Sequence, residues 1–460
     1  MSESSAPTAS PAAHPQARAW LSLALLALLV GGALSLVLIV SRVPGMTRFF
    51  DAPLVAKKSL VVHVNLVLTV WFLAFIAALF SLIPGRRERQ APVVVAAFGV
   101  ALFVASGLVR GAEPILCNYV PVLDQPTFVV GLGVFLVGVL LALADRARLV
   151  DAVAPATTLD PAPLLSPASV LGLRVAVGML VLALAVLASA IACTTRGEDH
   201  HAYYETLFWG AGHVLQLVFL AAMLSVWLVL VHDATGECPL ARTPLAHLTF
   251  ALVWLPALPA LWLLGKVPTD DGYYSLPTAL MRWGTWQAPA LVLLLSLGAL
   301  WRARRRGALR VTSSLSAFVM SVVLLALGIT LGVFINRAST LVPAHYHATV
   351  GAVTVALMGV ATPFLAVLGM PLPTEQLRRL ARWQPVIFGV GQLGFVSGFA
   401  YAGWHGLGRK VYGHEQALHG IEQTVGLAVM GTGGTVALVG GALFFYLVGR
   451  CWRARAAAVS

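Results

Sequence analysis

The sequence predicts an all-α fold, a polytopic membrane bundle of about twelve transmembrane helices. Three observations predict it. Hydrophobic residues make up 59% of the 460-residue chain and charged residues only 10%, whereas a soluble chain carries roughly a quarter charged residues. Apolar runs of about 20 residues, the length a helix needs to cross a bilayer, recur along the whole chain. The charges fall in short clusters between these runs, such as Arg86-Arg87-Glu88-Arg89 and Arg302-Ala303-Arg304-Arg305-Arg306. That is the pattern of topology signals, and it argues against a nucleic-acid partner despite the net charge of +12.

Residues 1–19 read as a cytoplasmic tail, disordered because its composition is dominated by Ser, Ala and Pro. The first span, 20–41, exceeds the 7–15-residue core of a signal peptide and lacks a small-residue cleavage site, so it reads as a retained helix. The next spans are bounded by charges, Pro or Gly and run over 59–83, 92–109, 127–144, 167–193 and 206–231. The second half gives 244–265, 280–300, 311–335, 343–369, 384–404 and 420–449. The eighth span carries Arg282 and Gln287 near its start. Residues 20–449 thus form one bundle without an internal repeat, followed by a short cytoplasmic tail, 450–460.

An even number of spans puts both termini on one side. That side holds 19 of the 30 Lys and Arg residues and the other 11, so the positive-inside rule places the termini in the cytoplasm of a cell inner membrane. The histidines sort the opposite way. Nine of the 12 fall outside: His63, His200, His201, His213, His345, His347, His405, His414 and His419. Only His14, His232 and His247 fall inside.

Four of the nine lie within spans: His63, His213, His345 and His347. At 1.5 Å rise per residue they sit about 4–11 Å from the outer helix ends, so they can share a layer. An ionisable residue in a span usually turns inward to a partner, and neutral imidazole is a common metal ligand. The plainer alternative for each is an interfacial His satisfied by water or a carbonyl. The pair His345-Tyr346-His347 favours ligation. Residues i and i+2 on a helix point about 200° apart, so two imidazoles at that spacing serve two cofactors on opposite sides of one helix.

These residues resemble the haem-copper oxidase superfamily, the catalytic subunit I of terminal oxidases and nitric oxide reductases. The segment AHYHATVGAV resembles the family's tenth-helix H-x-H. By that resemblance His345 would ligate a high-spin, gas-reducing haem and His347 a low-spin haem, with His63 as the second low-spin ligand. HVNLVLTVW resembles the nitric oxide reductase branch in particular. YETLFWGAGHVLQ resembles the sixth-helix segment whose His, here His213, binds a distal metal. AGWHGLGRKVYG resembles the segment whose basic pair, here Arg409 and Lys410, meets haem propionates; the plainer alternative is a helix-end anchor.

The resemblance implies two haems, respiratory electron transport and an electron-donor protein or cytochrome c-type subunit on the outer side. A small gas, oxygen or nitric oxide, would be the substrate. The sequence departs from the family at several points. The seventh span lacks the His pair that completes a three-His copper site; its one histidine, His247, lies at the cytoplasmic end. A distal copper or other metal at His213 would need His200, His201, His405, His414 or His419 to substitute. Position 217 is Leu where many oxidases have a tyrosine, position 215 is Leu where several have a Glu, and the eighth span has no Lys. Glu422 reads as an interfacial residue or part of an outer-face proton route.

Two other readings stay open: a haem protein that transfers electrons or senses a gas without turnover, and a haem-free twelve-span transporter. The loop GRRERQ resembles the basic loop of the major facilitator group. Cysteines number four and form no C-x-x-C-H, so no c-type haem is attached. Cys117 and Cys193 both fall outside, where a disulfide is feasible; Cys238 and Cys451 read as free thiols. Glu113, Asp124, Glu198, Asp199, Asp270 and Asp271 read either as solvated loops or as a docking surface for a basic donor.

Overall fold

In the computed structural model, residues 14–85, 88–151 and 164–459 are described, so Arg86, Arg87 and most of the expected N-terminal tail lie outside the described residues. Among the described residues, twelve long helical segments follow one another, with short helical turns between some of them: α1 Pro15–Val40, α2 Pro53–Phe80, α3 Ala91–Ser106, α4 Pro126–Leu143, α5 Pro167–Cys193 and α6 His200–Thr235. Then come α7 Thr243–Leu263, α8 Ser275–Arg305, α9 Ser313–Val333, α10 Leu341–Val367, α11 Glu375–Trp404 and α12 Ile421–Val459. Eleven are long and apolar enough to cross a membrane, and α3, a shorter apolar helix of 16 residues, completes the twelve.

Local chemistry sets the helix starts. Pro occupies the first turn of α1 to α5 and of α7, where its missing N–H has no intrahelical acceptor to lose. Side-chain oxygens of Ser166, Asp199, Thr312 and Thr374 accept from backbone N–H groups in the first turns of α5, α6, α9 and α11. Two spans are irregular. Pro256 and Pro259 convert the second half of α7, Leu255–Leu263, to a 3-10 helix, since proline cannot supply the α-helical bond. In α8 the helix breaks between Gly284 and Gln287, which places Arg282 and Gln287 at the interruption.

Both expected tails are shorter than the sequence reading gave. α1 begins at Pro15, inside the 1–19 stretch, and α12 continues through 450–459. The start of α1 is fixed by tertiary contacts. The Arg148 guanidinium, 2% exposed, donates to Ile83 O at 3.0 Å, to Gln16 Oε1 at 3.3 Å and to Glu88 Oε1 at 3.1 Å.

The layering of the bundle matters most for function. In α6, α2 and α10, 89%, 72% and 72% of the most apolar stretch is buried, against 33–50% in the other eight spans long and apolar enough to cross. These three innermost helices carry His213, His63 and the His345/His347 pair. Two-stranded β1 (Glu113–Ile115) and β2 (Val122–Asp124) form an antiparallel hairpin in the loop joining α3 to α4. α11 and α12 pack backbone to backbone, Gly391 and Gly398 meeting Ala437 and Met430 where a Cβ would collide with main-chain nitrogen.

Candidate functional site: a histidine cluster on the inner helices

α2 and α6 start six residues before the expected spans, because Pro53 and the Asp199 cap initiate them early. His63 and His213 therefore lie about 15 and 20 Å along their helices, against about 6 and 9 Å for His345 and His347. Distance from a helix end, the measure used in the sequence reading, overstates their similarity of depth. Contacts define the cluster instead.

His63 Nδ1 lies 2.7 Å from Gly31 O of α1. A carbonyl accepts only, so Nδ1 carries the proton and Nε2 is left as a lone-pair donor with no hydrogen-bond partner among the described residues. His345 is held in the same way: Nδ1 donates to Gly328 O of α9 at 2.7 Å. A Cβ on Gly332, one turn further along α9, would come within 2.9 Å of the imidazole. His347 makes no hydrogen bond among the described residues, and its ring packs on Phe395 and Phe399 of α11, with centroids at 4.7 and 6.2 Å. It lies within electrostatic reach of His63 and Arg42. The H-x-H pair thus faces opposite sides of α10, towards α9 and towards α2 and α11, as the helical period requires.

Immediately after His63 the chain makes a π-helical turn, Asn65–Val70, a feature frequent at functional sites. Asn65 Nδ2 donates to Val61 O at 2.9 Å and to Pro121 O at 2.8 Å, tying this turn to the hairpin loop. Tyr346, between the two histidines, keeps 39% of its surface accessible.

Arg42, at the end of α1, is a residue the sequence reading counted only as a charge. It is 4% exposed, its guanidinium carbon lies 5.2 Å from the Phe399 ring and 4.6 Å from the Tyr412 ring, and its Nη1 is buried without a partner. An unpartnered buried donor is costly, so a group with an acceptor at this rim would be well matched. Its signal in the sequence was weak: one Arg just past an apolar run reads as an anchor.

His213 forms a second centre. Its Nδ1 donates to Trp209 O at 2.6 Å, and its Nε2 lies 2.7 Å from Tyr119 Oη. Burial and the nearby Glu205 carboxylate hold the Tyr119 phenol above its ordinary value, so the phenol keeps its proton and donates to Nε2. Both imidazole nitrogens are therefore engaged. Tyr119 sits in the left-handed region at φ 64° and packs directly over Gly212, where any Cβ would strike its ring. Sequence reasoning missed Tyr119, a loop residue with no periodic signal.

The loop after α11 lies over these centres. Thr340 N donates to Leu407 O at 2.9 Å, pinning the loop to the start of α10. Arg409 Nη1 donates to Asn118 Oδ1 at 3.0 Å, and Asn118 gives its N and Nδ2 to the Glu205 carboxylate at 2.7 and 2.5 Å. Arg409 lies within electrostatic reach of both Tyr119 and Tyr346. Lys410 is adjacent, and burial followed by Arg409 pulls its ammonium below the usual lysine range.

Among the described residues no three His, Cys, Asp or Glu gather as a metal-binding group. His200 pairs with Asp124 at 2.5 Å and His414 with Asp51 at 2.9 Å. Cys117 and Cys193 are not bonded to each other; Cys117 Sγ donates to Val120 O at 3.0 Å, and burial followed by Glu205 pushes the thiol up to about 12. Of the outer-loop acidic residues, read either as solvated loops or as a docking surface, Asp199 caps α6, Asp270 accepts from Val267 N, and Asp124 binds Arg196 at 2.7 Å and Tyr204 at 3.0 Å. These carboxylates are committed to the fold.

Fold and composition together define a polytopic all-α membrane protein. No protein-family profile matches the chain. It is similar to an uncharacterized protein of Rickettsia prowazekii (strain Madrid E), 23% identical over 94% of this chain and 95% of the relative. It is also similar to an uncharacterized protein of Aquifex aeolicus (strain VF5), 28% identical over 80% of this chain and 88% of the relative.

Proposed function

We propose that the chain is a haem-bearing membrane oxidoreductase subunit of the haem-copper oxidase type, which passes electrons from an outer-side donor to oxygen or nitric oxide. The observation that carries this reading is that His63 and His347 lie within electrostatic reach of each other, each with a ring nitrogen that has no hydrogen-bond partner among the described residues. His63 Nδ1 is occupied by Gly31 O, so Nε2 presents the lone pair an iron would take, and His347 has no competing hydrogen bond. His345, oriented by Gly328 O on the opposite side of α10, would hold a second haem.

When bound, the two haems would supply electron storage and gas binding. The chain's own residues supply orientation and charge. The carbonyls of Gly31 and Gly328 fix the tautomers of His63 and His345, Arg42 offers an unpaired donor at the rim, and Arg409 and Lys410 set positive charge over both centres. That charge suits carboxylates near the interface. In this reading the protein lies in the cell inner membrane with both termini in the cytoplasm.

A visible spectrum and haem extraction of the purified full-length protein test the proposal. A Soret band and two haems per chain are expected; a colourless protein returns it to the transporter class. A second reading, electron transfer or gas sensing without turnover, is favoured by one observation: Tyr119 occupies the His213 nitrogen that a distal metal would use. Oxygen and nitric oxide consumption assays separate the two, since turnover at enzyme-like rates eliminates the second.

A further inference from the structure

At the end of the bundle that bears the termini, a cleft of ≈ 500 Å³ opens where α6 ends, α7 begins and α8 ends; its lining includes Glu237, Arg242, Leu245, Leu295 and Arg302. We infer that this cleft binds the headgroup of an acidic phospholipid. Its electrostatics are cationic. Arg302 and Arg306 reach the same carboxylate, Glu237, at 3.1 and 2.6 Å, so one negative charge serves two guanidinium groups. Arg242 has no ion-pair partner among the described residues and forms the N-cap position of α7. That helix end has no side-chain cap and no acidic residue in its first turn, so its dipole adds to the positive field.

The shape of the cleft selects a lipid over a free anion. α7 and α8 are among the least buried spans, with 33% of each apolar stretch inside the protein, so the cleft opens between two helices that face the bilayer. Leu295 lies two helical turns, about 10 Å, from Arg302 along α8, and Leu245 lines the cleft from α7. Next to Leu295, Leu294 and Leu297 are 67% and 51% exposed, an apolar track for an acyl chain below the arginines. Trp301 is 55% exposed, with Arg305 stacked 4.0 Å over its ring, a pairing suited to the interfacial level. A basic pocket between spans at a membrane surface is the arrangement that recognises anionic headgroups.

The test uses the full-length protein in a neutral detergent, with native mass spectrometry reading the fraction that retains dioleoyl phosphatidylglycerol. Dioleoyl phosphatidylcholine and inorganic phosphate are the comparison ligands. Wild type retains phosphatidylglycerol and not phosphatidylcholine, and the double variant Arg242→Gln/Arg302→Gln retains it on the order of tenfold less, as expected for the loss of two charge-assisted contacts. The control Arg378→Gln/Arg382→Gln, altered in another arginine cluster, binds as wild type. Leu295→Trp, which fills the cleft and keeps every charge, also loses the lipid, so the inference does not depend on one variant folding. Undiminished retention in both cleft variants, equal retention of phosphatidylcholine, or displacement of the lipid by millimolar phosphate would overturn it.

Discussion

The Tyr119 hydroxyl donates to His213 Nε2 across 2.7 Å, joining a loop residue to the most buried helix of the bundle. Trp209 O takes the other ring nitrogen, and the Trp209 and Tyr119 rings flank the imidazole, with centroids 5.1 and 4.6 Å away. The pair holds the hairpin loop on α6 and closes the one ring nitrogen through which His213 would bind a metal or gas ligand. Tyr119→Phe removes the hydroxyl and leaves a buried acceptor unpaired, at a cost of about 1–3 kcal/mol. A double-mutant cycle with His213→Ala, read by thermal unfolding in detergent, should give a coupling of about 1 kcal/mol. A coupling of zero would show that the contact does not hold the loop.

Under the proposed function, haem stoichiometry should divide by helix face. His63→Ala and His347→Ala each remove the same haem, taking the content from two per chain to one and abolishing the low-spin spectrum. His345→Ala removes the other and leaves that spectrum in place. Loss of both haems in all three variants would instead mean that the faces of α10 are not independent.

Gly332 makes room for His345. A methyl at this position would stand 2.9 Å from the imidazole, tighter than ordinary van der Waals contact, and the ring is already fixed by Gly328 O. Gly332→Ala is expected to weaken occupancy at His345 while the His63/His347 spectrum is unchanged. An identical shift in both spectral components would point to general destabilisation.

Asp124 ties β2 to the start of α6. Burial disfavours its charge, but hydrogen bonds from Tyr204, Arg196 and His200 outweigh it and hold the carboxyl below its ordinary 3.8. A lowered value in the folded state means that the stabilisation is fully present above about pH 4 and is lost as pH falls through the folded value. The Tm difference between wild type and Asp124→Asn should therefore be constant from pH 5 to 7 and shrink below pH 4. A gap as large at pH 3 as at pH 6 would remove ionisation from the explanation.

The spans were legible because each is an apolar run, and Arg282 and Gln287 mark where α8 breaks; the 3-10 turn of α7 at Pro256 and Pro259 came only from the structure. The opposed directions of His345 and His347 were legible too, since the 3.6-residue period separates i from i+2 whatever surrounds the helix. Depth was not. Pro53 and Asp199 start α2 and α6 outside the apolar runs, and hydropathy does not register where a polar first turn begins. The Tyr119–His213 contact joins positions 94 residues apart, and a loop tyrosine at positive φ carries no pattern that points to its partner.

The sequence by itself determined a membrane bundle and the opposed directions of His345 and His347, because apolar run length and helical period are local properties of the chain. Only the tertiary structure decided which imidazole nitrogens stay free. Gly31 O, Gly328 O and Tyr119 Oη each come from a different element than the histidine they meet, and packing alone brings such partners within hydrogen-bond reach.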